Sequence, residues 1–194
     1  MCLVVGGGDV AERKVHTLLG CGATVVVVSP QVTDGLRQLA GDGKIDLRVR
    51  SFDVEDMDSV FLAVASTDDW EVNSQVSRLA QQEGKLVNVV DDPALCNFIV
   101  PATVTRGDLQ ISVSTGGSSP ALAKRIRKDL ESRYGAEYGL FAQLLGEIRD
   151  TVKGKYSNQS EREAVFNRLI DSGVLELIAS GDQEAARKKA LECI

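Results

Sequence analysis

Three short clusters in this chain carry residue types able to do chemistry. The first is Gly6-Gly7-Gly8-Asp9-Val10-Ala11, set between an apolar run and an amphipathic stretch. It fits G-x-G-x-x-A through Gly6, Gly8 and Ala11. In that pattern the first glycine permits a tight turn and the second lets a pyrophosphate approach the backbone. The small third residue lets helix and strand pack closely. The helix that follows offers free N–H groups and partial positive charge to phosphates. A glycine turn alone is a weak signal and can be merely structural. Here it follows a strand, opens a helix and sits in an alternating βα chain, which favours a dinucleotide site. The second cluster is Asn88-Val89-Val90-Asp91-Asp92-Pro93. A carboxylate there, ionised at neutral pH, is ready to accept a proton while hydride leaves to NAD. A positioned base contributes roughly 10²–10⁴-fold to a rate. Asp-Pro is also ordinary turn chemistry, so the residues alone leave the two readings of Asp91 and Asp92 balanced. The third cluster is Ser114-Thr115-Gly116-Gly117-Ser118-Ser119-Pro120. Its glycines and hydroxyls, ahead of a helix, exceed what a cap requires and suit an anionic group.

These clusters need elements to position them. Cys2–Val5 reads as a short buried strand and Asp9–Leu19 as a helix, striped by Val10, Val15, Leu18 and Leu19. Thr24–Val28, all β-branched, marks a strand covered on both faces. Val32–Leu39 reads as a helix, Asp46–Val49 as a strand, Val60–Ala65 as a strand, Trp70–Glu83 as a helix and Lys85–Val90 as a fifth strand. This alternation predicts a Rossmann-like, doubly wound parallel sheet with ligands at the carboxyl ends of its strands. After Pro93 the pattern changes. Phe98–Thr105 and Asp108–Ser114 read as two strands joined by a hairpin at Arg106-Gly107. Two strands alone are marginal and must join a sheet or another subunit. Ser119 reads as the N-cap of a helix with Pro120 in its first turn. Leu122, Ile126 and Leu130 share one face of that helix. Helices then span Tyr138–Lys153, Gln159–Ser172, Val174–Ser180 and Asp182–Cys193.

The other strand exits refine the cofactor site. Where an acidic residue would ordinarily hold the adenosine ribose, the second strand ends Ser29-Pro30-Gln31. Ser29 or Gln31 can bond a hydroxyl, and no arginine stands there for a 2′-phosphate, so NAD is favoured over NADP. The fourth strand ends Ala65-Ser66-Thr67-Asp68-Asp69. Ala65 and Thr67 are small enough for a cofactor to lie close, with Asp68 or Asp69 capping the next helix.

Composition removes several alternatives. Lys plus Arg total 22 and Asp plus Glu 28, a net charge of −6. An acidic chain is a poor nucleic-acid binder, and no apolar run reaches the roughly 20 residues of a membrane helix. The opening MCLVVGGG lacks a secretory signal's basic flank. Four scattered cysteines and one histidine read as reduced cytoplasmic thiols with no metal site. His16 reads as a packing or surface residue, and Trp70 as core or interface. Phe141, Leu144, Leu145 and Ile148 read as a core stripe.

Taken in order, Gly6-Gly7-Gly8-Asp9-Val10-Ala11-Glu12-Arg13-Lys14, Ala65-Ser66-Thr67-Asp68-Asp69, Asn88-Val89-Val90-Asp91 and Ser112-Val113-Ser114-Thr115-Gly116-Gly117-Ser118-Ser119-Pro120 closely resemble the siroheme synthase family, in particular its precorrin-2 dehydrogenase module. The resemblance runs over the whole chain and is strongest to about Leu130. It implies NAD-dependent oxidation of precorrin-2 to sirohydrochlorin, and in some members insertion of Fe²⁺ to give siroheme. It implies a homodimer with a Rossmann domain (1–97), a dimerisation and substrate region (98–135) and a helical domain (136–194). It assigns the catalytic aspartate to Asp91 rather than Asp92. It carries NAD contacts onto Asp9, Val10, Pro30 and Gln31, alongside Gly6, Gly8, Ser29, Ala65 and Thr67. The glycines and hydroxyls of Ser114, Thr115, Gly116, Gly117 and Ser118 make that cluster the expected tetrapyrrole site. Family members usually have a dozen or so residues ahead of the first strand, where this chain opens. With no methyltransferase domain after residue 194, the preceding methylation is expected of another protein. The alternative is a non-catalytic NAD-sensing module. Those usually keep the acidic residue after the second strand and lack the serine-glycine element. Net negative charge cannot steer a polycarboxylate, so substrate binding needs a local site. Ser114–Ser119 supplies one, with Arg106, Lys124, Arg125 and Arg127 as candidate cations.

Overall fold

Five short strands pair into one parallel sheet in the computed structural model, which describes all residues from Met1 to Ile194. They are β1 (Cys2–Val5), β2 (Val25–Val28), β3 (Asp46–Arg48), β4 (Leu62–Ala65) and β5 (Leu86–Val89), in the order β3-β2-β1-β4-β5. Helices α1 (Asp9–Gly20), α2 (Asp34–Gly41) and α3 (Trp70–Gln82) make the crossovers. Alternate residues of β1, β2 and β4 supply two separate cores. Leu3, Val5, Val26 and Val28 face one, with Val76 and Ala80 of α3. Val4, Val25 and Val27 face the other, with Val15 of α1 and Leu36 of α2. Burial on both faces is why these strands read as continuous apolar runs rather than alternating ones. The sequence order reverses at β1, whose neighbours are β2 and β4. That reversal opens a crevice above the carboxyl ends of the strands.

Boundaries shift where side chains override apolar pattern. The second helix begins at Asp34 rather than Val32, because Thr33 caps it by accepting from the Leu36 N–H. Trp70 does not enter the core: it opens α3 and is 63% exposed. His16 lies on the exposed side of α1.

The chain divides into two compact units, Met1–Val100 and Pro101–Ile194. The second opens with an antiparallel hairpin, β6 (Ala102–Arg106) and β7 (Leu109–Val113), joined by Gly107-Asp108. The first hairpin strand starts at Ala102, not Phe98. Pro101 has no N–H to give a ladder, and the Phe98 carbonyl is taken by Asn88. The hairpin stands as its own two-stranded sheet. Within the unit, α4 (Pro120–Arg133) and α5 (Ala136–Lys155) pack against it. The Arg106 guanidinium donates to the carbonyls of Tyr134 and Glu131, both at 3.0 Å. Ser119 caps α4, with Pro120 as its first residue. Phe141, Leu144 and Ile148 of α5 lie buried against α6 (Gln159–Ile170), α7 (Val174–Ala179) and α8 (Gln183–Glu192), and Leu145 packs beside them. The apolar face of α4 is uncovered, with Leu122 51% and Ile126 37% exposed. No helix is long and apolar enough to cross a membrane.

Candidate active site

Three strand exits of the first unit line one crevice of about 730 Å³. The exit of β1 contributes Gly6 to Val10, that of β2 Ser29 to Thr33, and that of β4 Ser66 to Asp69. The glycine turn is shaped by close contact. Gly6 has φ +122°, and a Cβ on it would lie 2.6 Å from the Ser66 carbonyl oxygen. A Cβ on Gly7 would lie 2.0 Å from the Gln31 carbonyl oxygen. Gly8 is different, since nothing lies within 4 Å of where its Cβ would be. Two glycines therefore let three turns close on one another, and the third leaves an open face. Gly8 is also the N-cap of α1 and offers no side chain to the helix's first N–H groups. Those donors point outward without an intrahelical partner. The open face and the free donors fit a pyrophosphate.

The β2 exit is locked from both sides. Ser29 is buried and donates its hydroxyl to the Gln31 carbonyl at 2.7 Å. Thr33 donates its N–H to the Gly7 carbonyl at 2.9 Å and its hydroxyl to Glu12 at 2.5 Å. At the β4 exit, Asp69 caps α3 by accepting from the N–H groups of Glu71 and Val72. The Thr67 hydroxyl meets the Asn73 side-chain oxygen at 2.8 Å, and Asn73 donates back to the Thr67 carbonyl at 2.9 Å. Ala65 is fully buried beneath this turn and does not line the crevice.

Beyond β3, Ser51 and Phe52 reach the crevice wall. The arginines before them are occupied. Arg48 and Arg50 donate to Asp56 at 2.7 and 2.6 Å, and Asp56 is almost wholly buried. The Arg50 bond outweighs burial and holds the Asp56 carboxyl at about 2, well below the usual carboxylate range.

Asp91 is not among the crevice-lining residues. It sits just past the exit of β5, the strand beside β4, with its side chain exposed. Its backbone is left-handed, φ +60°, one of two non-glycine residues in the chain with positive φ. Around it the fold assembles a set that strand-and-helix reading missed. Lys14 of α1 crosses to donate to the Asn88 side-chain oxygen at 3.5 Å. Burial pushes the Lys14 ammonium below its ordinary value, Arg13 adds to that, and the nearby Cys96 and Asp91 oppose it. Cys96 lies against Val89 and Asp92. Lys14 and Asn88 are 74 positions apart, so no local pattern pointed to the pair. Ser114, Thr115, Gly116, Gly117 and Ser118 belong to the second unit, between β7 and α4. There Thr115 accepts from the Ser119 N–H at 3.0 Å and Ser114 from the Gly116 N–H at 3.2 Å. No group of three His, Cys, Asp or Glu residues is placed to hold a metal ion.

A glycine turn at the switch point of a 3-2-1-4-5 parallel sheet, opening onto an uncapped helix, defines a dinucleotide-binding domain. Comparison with known proteins agrees. Residues 1–102 match the family model described as "Putative NAD(P)-binding". Residues 106–133 match that for the central part of a sirohaem biosynthesis protein, and 137–193 the sirohaem synthase dimerisation region. A siroheme synthase of Methylobacillus flagellatus is 42% identical over 186 residues, covering 96% of this chain and 40% of the relative. One of Thioalkalivibrio sulfidiphilus is 43% identical over 194 residues, covering 98% and 40%. A solved structure titled SirC, precorrin-2 dehydrogenase, superposes with a TM-score of 0.81 at 29% identity, over 98% of this chain and 94% of that one. The chain belongs to the putative NAD(P)-binding family over its first 102 residues, and the rest of it matches two models of sirohaem biosynthesis proteins. It spans about 40% of the length of the curated relatives it matches.

Proposed function

We propose that this chain oxidises precorrin-2 to sirohydrochlorin, with NAD as the acceptor, as a homodimer in the cytoplasm. The observation that carries the reading is an ionisable side chain held on a left-handed backbone one strand over from the dinucleotide crevice. Side chains on unfavourable backbone concentrate where a site needs them. The names of the relatives and of the structural neighbour support the substrate.

Bound in the crevice, NAD supplies the hydride acceptor. The chain's part is to seat it and to move a proton. The free N–H groups of α1 and the open face at Gly8 hold the pyrophosphate. The turn at Ser29, Pro30 and Gln31 takes the adenosine ribose, through backbone groups and Gln31. The β2 exit carries no arginine, and Asp56 engages Arg48 and Arg50, so no cation there is free for a 2′-phosphate. This is the basis for NAD over NADP. Asp91 accepts the proton released as hydride leaves the macrocycle, so that precorrin-2 and NAD⁺ give sirohydrochlorin, NADH and H⁺. Hydroxyls and N–H groups of Ser114 to Ser118 bind substrate carboxylates.

Mixing purified protein with precorrin-2 and NAD⁺ tests this through NADH absorbance. The expected result is turnover that Asp91→Asn removes while NAD⁺ still binds. NAD⁺ binding without turnover by the unaltered chain would instead mark a sensing module. The relatives' name also supports insertion of Fe²⁺, as a substrate, into sirohydrochlorin. Incubation with sirohydrochlorin and Fe²⁺ without NAD tests this arm. Siroheme formation no faster than in the blank removes it.

A further inference from the structure

The chain leaving β5 doubles back along that strand. Asn97 acts as a substitute edge, accepting from the Val87 N–H at 2.7 Å and donating to the Lys85 carbonyl at 2.8 Å. The backbone N–H of Asn97 adds a bond to the Val87 carbonyl at 3.1 Å. Between these arms lies the Val90–Asp92 tip, with Asp91 at its apex. The Cys96 thiol sits in the mouth of the turn and touches both arms. Its sulfur accepts from the Val89 N–H at 3.1 Å and lies 3.3 Å from the carbonyls of both Val89 and Asp92. One S–H is therefore shared between the residue entering the tip and the residue leaving it. Asn88 backs the sulfur, its amide nitrogen 3.6 Å away and 3.4 Å from the Phe98 carbonyl. Lys14 holds the far end of that amide.

We propose that Cys96 is a positioning residue: its thiol clamps the two arms of the turn and so holds Asp91 on the left-handed backbone from which its carboxylate is presented. The function of the clamp rests on the catalytic reading of Asp91; its structural part does not. A left-handed aspartate is uncommon, and without a tie across its flanks the tip is free to relax into the ordinary extended or helical regions. A thiol suits the place because its sulfur takes one backbone donor and faces two carbonyls at long range, with its other side against the apolar core.

The test compares Cys96→Ala, Cys96→Ser and Asn97→Ala in the full chain. Cys96→Ala is expected to lower kcat roughly 10- to 100-fold, as a misplaced reacting group does, with the KM for NAD⁺ unchanged. Cys96→Ser restores part of the loss. Asn97→Ala removes two side-chain bonds from the β5 edge without touching the tip. It lowers the melting temperature and leaves kcat alone. Backbone chemical shifts of Asp91 in the apo protein give a readout independent of turnover: they leave their left-handed values in Cys96→Ala and keep them in Asn97→Ala. A Cys96→Ala protein with unmoved Asp91 shifts and wild-type kcat overturns the proposal. If Cys96→Ala does not fold, Cys96→Ser decides by the same shifts and rate. If Asp91→Asn itself turns over normally, the catalytic reading falls, and the Asp91 shifts still decide whether the thiol holds the turn.

Discussion

The turns after β1 and β5 both bend the chain through positive φ at the carboxyl ends of the strands, and they do so with opposite residues. At Gly6 the space a side chain needs is filled by the Ser66 backbone, so the left-hand half of conformational space comes with no side chain at all. At Asp91 a side chain is kept on a backbone that favours glycine, and it faces solvent. A turn that binds through its own N–H groups is best bare. A turn that presents a functional group must carry that group, even at a conformational cost. On the proposed function, the contrast teaches that at Asp91 the side chain and not the turn is what the site uses.

The largest effect that tests this contrast is on turnover. Asp91→Asn should lower kcat by roughly 10²–10⁴-fold with NAD⁺ affinity within experimental error of wild type, measured by steady-state kinetics and calorimetry. Equal loss of both would make the two turns one unit. Gly6→Ala should do the reverse. A side chain there meets a backbone oxygen and a strained φ, at a cost of about 1–3 kcal/mol for the backbone alone. Calorimetry should show NAD⁺ affinity falling at least tenfold, and denaturant titration a lower midpoint. Asp56 provides a carboxylate that serves structure only. Its folded value, about 2, lies below its ordinary one, so its stabilising contribution is complete above pH about 4 and lost as pH falls toward 2. The contribution is about 1–2 kcal/mol, reduced by the exposure of its arginine partners. Asp56→Asn should flatten that acid limb in urea titrations while leaving the pH dependence of kcat unmoved. The smallest effect is the most diagnostic. Asp91→Gly should lower turnover as Asp91→Asn does and yet leave the protein as stable as wild type, or more stable by up to about 1 kcal/mol, as strain at φ +60° is relieved. A clear loss of stability would mean that Asp91 is structural.

Much of this was legible along the chain because its causes are local. The five strands could be read to within two residues, most plainly β1 and β2, where burial on both faces demands unbroken apolar stretches. Ser119 declared itself as a cap from the residues just after it, and of the pair Asp68-Asp69 the structure chooses Asp69. Of the two places read for Trp70, core or interface, the core is excluded, because as the first residue of α3 it projects beyond the packed face. Phe98–Val100 looked like strand, but Pro101 and the Asn88 amide take away the ladder.

What the order of residues determined by itself was the doubly wound sheet and the glycine turn, because period, capping and turn chemistry act over a few residues. Only the folded chain decided that Cys96 closes the Asp91 turn, that Lys14 reaches Asn88 from the first helix, and that Asp56 engages both arginines beside the crevice. Those contacts depend on which strand ends the sheet brings side by side, and that pairing is a product of burial over the whole unit rather than of any short stretch within it.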